Sequence, residues 1–339
     1  MSRYRVGVLG ATGAVGSTIL GVLAEREFPA SEVIPFASER SAGREIEWND
    51  SVLKCHPLDE ETIQGLDLVL SSAGGAVSAE WAPRLVEAGA VVVDNTSHWR
   101  MHEDVPLVVA EVNPDALEGH RGIVANPNCS TMQMVVALKP LLDEAGIERL
   151  VISTYQAVSG TGKGAVDELL AQSRAVLEGH DPVASVYPHP IAFNALPQAG
   201  SFPAGDDHTD EERKLIDETR KILDDPSIRV SATCVRVPVV TGHSEAVNIE
   251  TKEPLSPERA RELLSSAPGV TVVDEPGASR YPMAIEAAGR DDVFVGRIRR
   301  DPGNERALDM WIVSDNLRKG AATNAVQVAE LLVERDLLG

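Results

Sequence analysis

The sequence predicts two domains, a doubly wound parallel α/β domain followed by a mostly antiparallel α+β domain, and three observations carry that reading. Strand-like runs alternate with helical stretches through the first third of the chain, as parallel sheets with crossover helices require. The alternation breaks at Asn126-Pro127-Asn128, and the strands beyond it are longer, closer together and separated by few crossover helices. A chain of 339 residues is also long for one ordinary domain and comfortable for two, each able to bury its own core.

The first strand is predicted over residues 6–9. It ends in a glycine turn, after which Ile19, Leu20, Val22 and Leu23 recur at helical spacing. Further strands are predicted at 33–37, 66–71, 90–94 and 107–110, with a helical stretch at 79–88. A helix over about 131–145 opens the second domain and leads into a strand at 150–156. Next comes a helix over 209–223, in which Thr209 and Glu212 have the spacing of a capping box, and then strands at 230–240 and 246–250. Ala325, Val328, Leu331 and Leu332 mark a final helix that is expected to pack back on the first domain. No internal repeat or low-complexity tract is visible.

Composition excludes several classes of function. Hydrophobic residues make up 43% and charged residues 24%, as in a globular protein, and no run reaches the roughly 18 to 20 apolar residues of a membrane span. The N-terminal residues run directly into the first strand rather than into a secretion signal, so a cytoplasmic location is expected. A net charge of −21 opposes binding to nucleic acid or an anionic membrane. Three cysteines, Cys55, Cys129 and Cys234, are widely spaced, which excludes a disulfide framework and a thiolate metal site.

Gly10-Ala11-Thr12-Gly13-Ala14-Val15-Gly16 joins a strand to a helix. A dinucleotide pyrophosphate needs such a turn, for close backbone approach, amide donors and the positive end of a helix dipole. The spacing differs from G-x-G-x-x-G, and taken alone the turn could be no more than a tight turn. After the second strand, Ser38-Glu39-Arg40-Ser41 places an arginine between hydroxyls, which suits the 2′-phosphate of NADP(H). Glu39 works the other way, since a carboxylate there suits the ribose hydroxyls of NAD.

Cys129 directly precedes a predicted helix, where orphan amides and the helix dipole favour a thiolate and can hold an oxyanion. Cys55 and Cys234 lie in or beside strands and read as small buried hydrophobes. His243, in the turn after a strand, is the candidate base, although its surroundings equally suit a surface histidine. Arg236 stands among apolar strand residues, where a carboxylate ligand would pair it well. Gln156 ends a strand before Ser159-Gly160-Thr161-Gly162-Lys163-Gly164, a flexible loop that fails as a phosphate-binding kinase motif because Ala157 and Gly164 occupy two defining positions.

Together the glycine turn, Asn-Cys-Ser at 128–130, Tyr-Gln-Ala-Val-Ser-Gly at 155–160, Arg-Val-Pro-Val at 236–239 and Gly-His-Ser at 242–244 resemble aspartate-semialdehyde dehydrogenases. The resemblance covers essentially the whole chain and extends to residues 94–97, 191–194 and 315–317. It implies a Rossmann-type NADP-binding domain (1–128 plus 316–339) and a catalytic and dimerisation domain (129–315), a glyceraldehyde-phosphate-dehydrogenase-like α/β plus α+β fold. It implies NADPH-dependent conversion of L-aspartyl 4-phosphate to L-aspartate 4-semialdehyde, with phosphate released, in the biosynthesis of lysine, threonine, methionine and isoleucine. Cys129 would carry the acyl group as a thioester, His243 would be the acid-base and Gln156 would orient the substrate. Arg236 would grip the α-carboxylate and Glu211 the amino group, with Asn128 also at the substrate. Lys214 and Arg100 would bind phosphate, although residues alone leave Glu211 and Lys214 as a surface ion pair. His98-Trp99 departs from the Ala-Phe expected before Arg100. Cofactor contacts would be Gly10, Ala11, Thr12, Gly13, Ala14, Val15, Ser38, Arg40, Ser41, Ser72, Ala73, Gly74, Ser159, Gly160 and Asn316. No metal is implied. A homodimer or a dimer of dimers is expected.

Two rivals share this plan. N-acetylglutamyl-phosphate reductase also pairs a cysteine with a histidine, but an acetylated amine has no need of Glu211. Glyceraldehyde-phosphate dehydrogenase typically has two threonines after its cysteine, where this chain has Ser130-Thr131. A noncatalytic NADPH-binding regulator would be expected to have lost at least one of Cys129, Gln156, Arg236 and His243.

Overall fold

The computed structural model describes residues 4–49 and 51–338. The chain forms two compact units, Met1–Asn128 with Ala321–Gly339, and Cys129–Gly320.

The first unit runs β1 (Tyr4–Leu9), α1 (Ala14–Glu25), β2 (Ala30–Phe36), a hairpin of β3 (Glu45–Trp48) and β4 (Ser51–Lys54), β5 (Leu68–Ser71), α2 (Gly75–Glu87), β6 (Val91–Asp94) and β7 (Ile123–Ala125). Its main sheet has the order β2-β1-β5-β6-β7, and every pairing is parallel. β5 and β6 are buried along their whole length, which explains why they read as unbroken apolar runs rather than alternating ones. On one face Val6, Val8, Leu70 and Val93 pack with Ile19 and Leu23; the chain's last helix adds Ala325, Val328 and Leu332 to the same core. Leu9, Phe36, Val69, Leu85 and Val92 form the core on the other face. Strand order reverses beside β1, so a crevice opens at the carboxyl ends of β1 and β5, where open α/β sheets bind ligands.

Residues 107–110 are not a strand. Leu107 makes a single bridge to Ala125, and β7 supplies the fifth strand instead. The Asn113 side chain accepts from Val109 N and donates to Leu107 O, folding the segment into a turn.

The second unit contains α3 (Cys129–Ala145), β8 (Ile147–Gln156), α4 (Lys163–Leu177), α5 (Asp210–Ile222), β9 (Arg229–Arg236), β10 (His243–Thr251), α6 (Pro257–Ser266), β11 (Val270–Val272), α7 (Ala284–Ala287), β12 (Val293–Arg300) and β13 (Ala307–Ser314). A π-helical turn, Arg318–Thr323, then leads to α8 (Asn324–Glu334). The sheet order is β11-β12-β13-β10-β8-β9. The three inner pairings are antiparallel and the two outer ones parallel, so the sheet is mixed. The capping box of α5 is present, with the Thr209 side chain and Glu212 satisfying each other's backbone donors.

Three boundaries differ from expectation. β9 stops at Arg236 rather than 240, because Pro238 cannot donate to a ladder. β10 begins at His243, which is therefore a strand residue rather than a turn residue. α4 starts inside the glycine-rich stretch read as a flexible loop, and a 3₁₀ turn occupies Val158–Thr161.

Along β10, alternate residues His243, Glu245, Val247 and Ile249 are at most 2% exposed, and α3 packs against this strand. Glu245 is the outlier. Burial pushes its carboxyl well above the usual carboxylate range, with the Gln133 amide pulling the other way, and neither oxygen meets hydrogen-bond geometry. Because the folded protein holds this proton more tightly than the unfolded chain, the stabilisation is complete below the ordinary carboxylate pKa and fades as pH rises toward the folded value. Glu245→Gln is therefore expected to gain on the wild type by up to about 1.4 kcal/mol per pH unit above pH ~5. Thermal unfolding across pH 5 to 8 checks this, and parallel curves for the two proteins would refute it.

Candidate active site

The glycine turn at the end of β1 is built for close approach. Gly10 has φ +75°, and a Cβ there would lie 2.9 Å from Ser72 O; a Cβ on Gly16 would lie 2.2 Å from Gly10 O. Gly10 N and Ala11 N both donate to Phe36 O, and Gly13 N donates to Gly10 O. Gly13 is the N-cap of α1 and offers no side-chain cap, so the helix presents Ala14, Val15 and Gly16 amides at a positive dipole end beside Thr12. Ser72 is pinned to Leu9 O through both its N and its Oγ, and Ala73 and Gly74 (φ +93°) lead into α2, whose N-terminus likewise has no side-chain cap. Ser38, Glu39 and Arg40 are exposed in the 3₁₀ turn Glu39–Ser41 after β2, with Ser41 half-buried. Among the described residues Arg40 has no ion-pair partner. The cradle and the uncapped helix ends fit a dinucleotide.

Arg100, also in the first unit, is buried. Its Nε donates to Asn126 O at 2.9 Å and its Nη2 to Asn95 O at 2.7 Å. Asn126 in turn donates to Asn95 Oδ1, and the Asn324 amide donates to Asn126 Oδ1 and to Val108 O. This asparagine network escaped the sequence reading, since asparagines far apart in sequence carry no periodic signal. Trp99 keeps an aromatic before Arg100, with its Nε1 donating to Ser78 Oγ.

In the second unit, three strand ends meet side by side. Gln156 is in register with Arg236 across β8 and β9, and Tyr155 with Ser244 across β8 and β10. Gln156, Arg236 and His243 thus come from adjacent strands at one end of the sheet. Cys129 is the first residue of α3, partly exposed, whereas Cys55 and Cys234 are buried and burial pushes both of their thiols up. The Gln156 amide nitrogen donates to Ser130 Oγ, next to Cys129, at 2.6 Å and to Glu211 Oε1 at 3.1 Å. Its buried Oε1 has no hydrogen-bond partner.

His243 is 1% exposed, and its Nδ1 lies 3.0 Å from Ala157 N. A backbone N–H can only donate, so Nδ1 accepts and the proton of the neutral ring sits on Nε2. Burial, then the nearby Arg236 guanidinium, bring the imidazole down to about pKa 3 against the smaller upward pull of Glu211. In this arrangement the neutral ring offers an N–H at Nε2, while its lone pair at Nδ1 is engaged. A Cβ on Gly160 would stand 3.3 Å from His243 Nε2 and 3.6 Å from Arg236 Nη1, so this glycine keeps the imidazole nitrogen accessible.

Arg236 is 7% exposed; Nη1 donates to Ala157 O, Nε has no partner, and among the described residues no carboxylate is within ion-pair distance. A buried guanidinium without an anion is costly, and a carboxylate ligand would offset that cost. Lys214 is paired with both Asp210 Oδ2 (2.9 Å) and Glu211 Oε2 (3.1 Å), so the intrahelical ion pair exists. Glu211 nevertheless also reaches Gln156, which joins that pair to the strand ends. Asn316 is buried and already engaged: its Oδ1 accepts from Gly242 N, and its Nδ2 donates to Ser159 Oγ. Asn128 is buried as the last residue of the first unit.

Comparison with known proteins identifies the family. Residues 5–120 match the family model "Semialdehyde dehydrogenase, NAD binding domain" and residues 138–319 match "Semialdehyde dehydrogenase, dimerisation domain". The chain is 55% identical to the aspartate-semialdehyde dehydrogenase of Aquifex aeolicus over 99% of each protein. It is 54% identical to that of Legionella pneumophila over 100% of this chain and 98% of the relative. Among solved structures, Vibrio cholerae aspartate semialdehyde dehydrogenase II complexed with ASA superimposes with a TM-score of 0.96 at 47% identity, covering 98% of this chain and 99% of that one. The Candida albicans enzyme with NADP gives 0.75 at 27% identity, covering 99% and 100%. A cysteine at a helix start, strand-end glutamine, arginine and histidine, and a dinucleotide cradle therefore sit in a chain that belongs to the aspartate-semialdehyde dehydrogenase family.

Proposed function

We propose that the chain reduces L-aspartyl 4-phosphate to L-aspartate 4-semialdehyde with NADPH, releasing phosphate, through a thioester on Cys129. The observation that carries this reading is the pairing, at one end of the sheet, of a buried arginine lacking a carboxylate partner with a glutamate that reaches the same glutamine. An amino acid with free α-carboxylate and α-amino groups needs one cation and one anion, whereas an N-acetylated substrate needs only the cation.

The Cys129 thiolate, favoured at the start of α3, attacks the acyl carbon, and the C–O bond to phosphate breaks. Arg236 holds the α-carboxylate, Glu211 the α-ammonium and Gln156 the chain between them, while Arg100 and Lys214 take the phosphate. His243 donates from Nε2 to the oxygen that becomes negative in the tetrahedral species. The Gly10–Gly16 turn, Ser38, Arg40, Ser41 and residues 72–74 would hold NADPH, which would supply the hydride that reduces the thioester. Collapse then returns the thiolate directly, so an N–H donor at His243 suffices and no base is consumed.

The chain works as a homodimer in the cytoplasm. This reading is supported by its match to a dimerisation-domain model, and a monomeric mass in solution would overturn it. Among the described residues no helix is long and apolar enough to cross a membrane, and no cluster of His, Cys, Asp and Glu is arranged to hold a metal.

The reaction is tested by phosphate-dependent reduction of NADP with aspartate semialdehyde, followed by absorbance. No turnover with this aldehyde, but turnover with its N-acetylglutamate homologue, would keep the fold and replace the substrate. For the cofactor, Arg40→Ala is expected to raise KM for NADP about 10- to 100-fold, as loss of a charge-assisted contact implies, and to leave KM for NAD unchanged. Equal effects on both cofactors would mean that Glu39 and the ribose, rather than the 2′-phosphate, govern the choice.

A further inference from the structure

Glycine is the poorest helix former after proline, yet Gly320 lies inside the π-helical turn Arg318–Thr323. Its φ is not in the left-handed region, so backbone freedom does not explain it. Space does. A Cβ on Gly320 would meet Cys129 Cβ at 3.0 Å, with Cys129 Cα and Asp315 O each at 3.4 Å. A methyl group there would press on the cysteine and force it back by a few tenths of an ångström.

The turn that brings Gly320 to this point is closed by a five-residue bond, Gly320 N donating to Asp315 O at 3.0 Å. It is locked from several sides. Asp315 accepts from Leu317 N, Arg318 N and Gly289 N, and Arg318 pairs with Asp291 through two nitrogens at 2.8 and 3.0 Å. Two residues before the turn, and inside the Asp315–Gly320 bond, Asn316 holds Gly242, the residue before His243, and Ser159, the residue before the Gly160 that faces His243 Nε2. One six-residue segment, 315–320, therefore touches Cys129 at one end and the backbone flanking His243 at the other. The extra residue of a π turn is what carries the chain from one contact to the other, and such insertions recur at functional sites.

We infer that this π turn is a spacer that fixes Cys129 relative to His243, with Gly320 and Asn316 as positioning residues for the reaction. The inference rests on the reading of Cys129 as the nucleophile and His243 as the donor. Gly320→Ala shifts the sulfur rather than removing it. Since a misplacement of about 1 Å can cost on the order of 100-fold, a shift of a few tenths should lower kcat roughly tenfold. KM for NADP should not move.

Iodoacetamide supplies a readout that a merely structural role leaves alone: the rate at which Cys129 is alkylated, and its pH profile, should change in Gly320→Ala. Gly277→Ala is the control, because a Cβ there meets nothing within 4 Å. Should Gly320→Ala be unstable, the background Cys129→Gly keeps the question open to measurement. With the opposing Cβ gone, Gly320→Ala should raise Tm there, as alanine does in a helix, while lowering it in the wild-type background. Asn316→Ala should lower kcat at unchanged KM for NADP.

Gly320→Ala with wild-type kcat and alkylation rate, or with the same Tm shift in both backgrounds, overturns the spacer. A raised KM for NADP with full kcat in Asn316→Ala makes that residue a cofactor ligand instead. If Cys129→Ala itself remained active, the nucleophile assignment would fail first, an outcome distinct from failure of the spacer.

Discussion

Cys129→Ala is expected to lower kcat by on the order of 10⁴- to 10⁶-fold, the scale on which loss of an enzyme nucleophile falls when the binding groups remain. The expectation rests on position. Cys129 is the first residue of α3 and partly exposed, while Cys55 and Cys234 are buried with thiols pushed up by burial. Neither can substitute, because a buried thiol above its ordinary pKa supplies almost no thiolate at neutral pH. Alkylation should therefore track activity at one site: iodoacetamide inactivates the wild type with a single labelled peptide containing Cys129. Equal labelling of all three cysteines, or appreciable activity in Cys129→Ala, would sink the assignment. NADP binding to the mutant, read by cofactor fluorescence, should be unchanged.

His243→Asn is expected to cost about 10²- to 10⁴-fold in kcat, the range for a positioned proton donor, with a small effect on KM. The Ala157 N–H donates to Nδ1, so the proton of the neutral ring sits on Nε2, and the proposed role runs through that N–H. A glutamine, which can also present an N–H, should recover part of the loss, and no recovery at all would mean that the imidazole titrates in the reaction rather than acting as a hydrogen-bond donor alone.

The same residue shapes stability. Its folded pKa, brought down to about 3 chiefly by burial, lies below the ordinary 6.5. The unfolded chain then takes up a proton that the folded protein refuses. Stability is undiminished above pH 6.5 and is lost as pH falls toward 3, by roughly 5 kcal/mol at most. His243→Asn should flatten that acid limb, and an unchanged limb would mean that other groups produce it. Glu245 acts in the opposite direction, weakening the fold as pH rises, so the two buried groups on one strand bracket the pH of greatest stability.

Most of this was legible in the sequence where local chemistry dominates. The glycine turn after β1 and the capping box of α5 are fixed by contacts within a few residues, and both are present. The strands β1, β2, β5 and β6 of the first unit also read correctly, whereas Asn113 turned an apolar run into a loop and the β3–β4 hairpin and β7 went unread. Tertiary requirements were less visible. Residues 163–177 form α4 despite the glycines before it; its Glu168 accepts from the amides of Ser185 and Val186, and its Gln172 from those of Ile191 and Ala192. The two parallel edge pairings of the second sheet depend on crossovers that strand spacing does not reveal. At the site, residue types pointed to Cys129, Gln156, Arg236 and His243, but not to the proton's location on His243, which the Ala157 amide just past the end of β8 decides. Nor could spacing show why Gly320 is a glycine, since its reason lies almost two hundred positions away at Cys129.

The three strand ends also determine where this chain can tolerate a change in length. His243 and Glu245 alternate with Ser244 and Ala246 along β10, and the strand is held on both sides, by β8 and β13. Deleting one residue of β10 beyond Glu245, with the rest of the strand kept in register, would deliver Gly242 where the imidazole belongs and turn Glu245 to the opposite face of the sheet. Residues 237–241 belong to no strand or helix, yet Val237 N donates to Gln156 O and Val158 N and Ser159 N donate to Val239 O and Val240 O, so a deletion there would also disturb the site. Insertions and deletions that spare function should gather away from these strand ends, and β10 should behave as a ruler whose graduations cannot be moved singly.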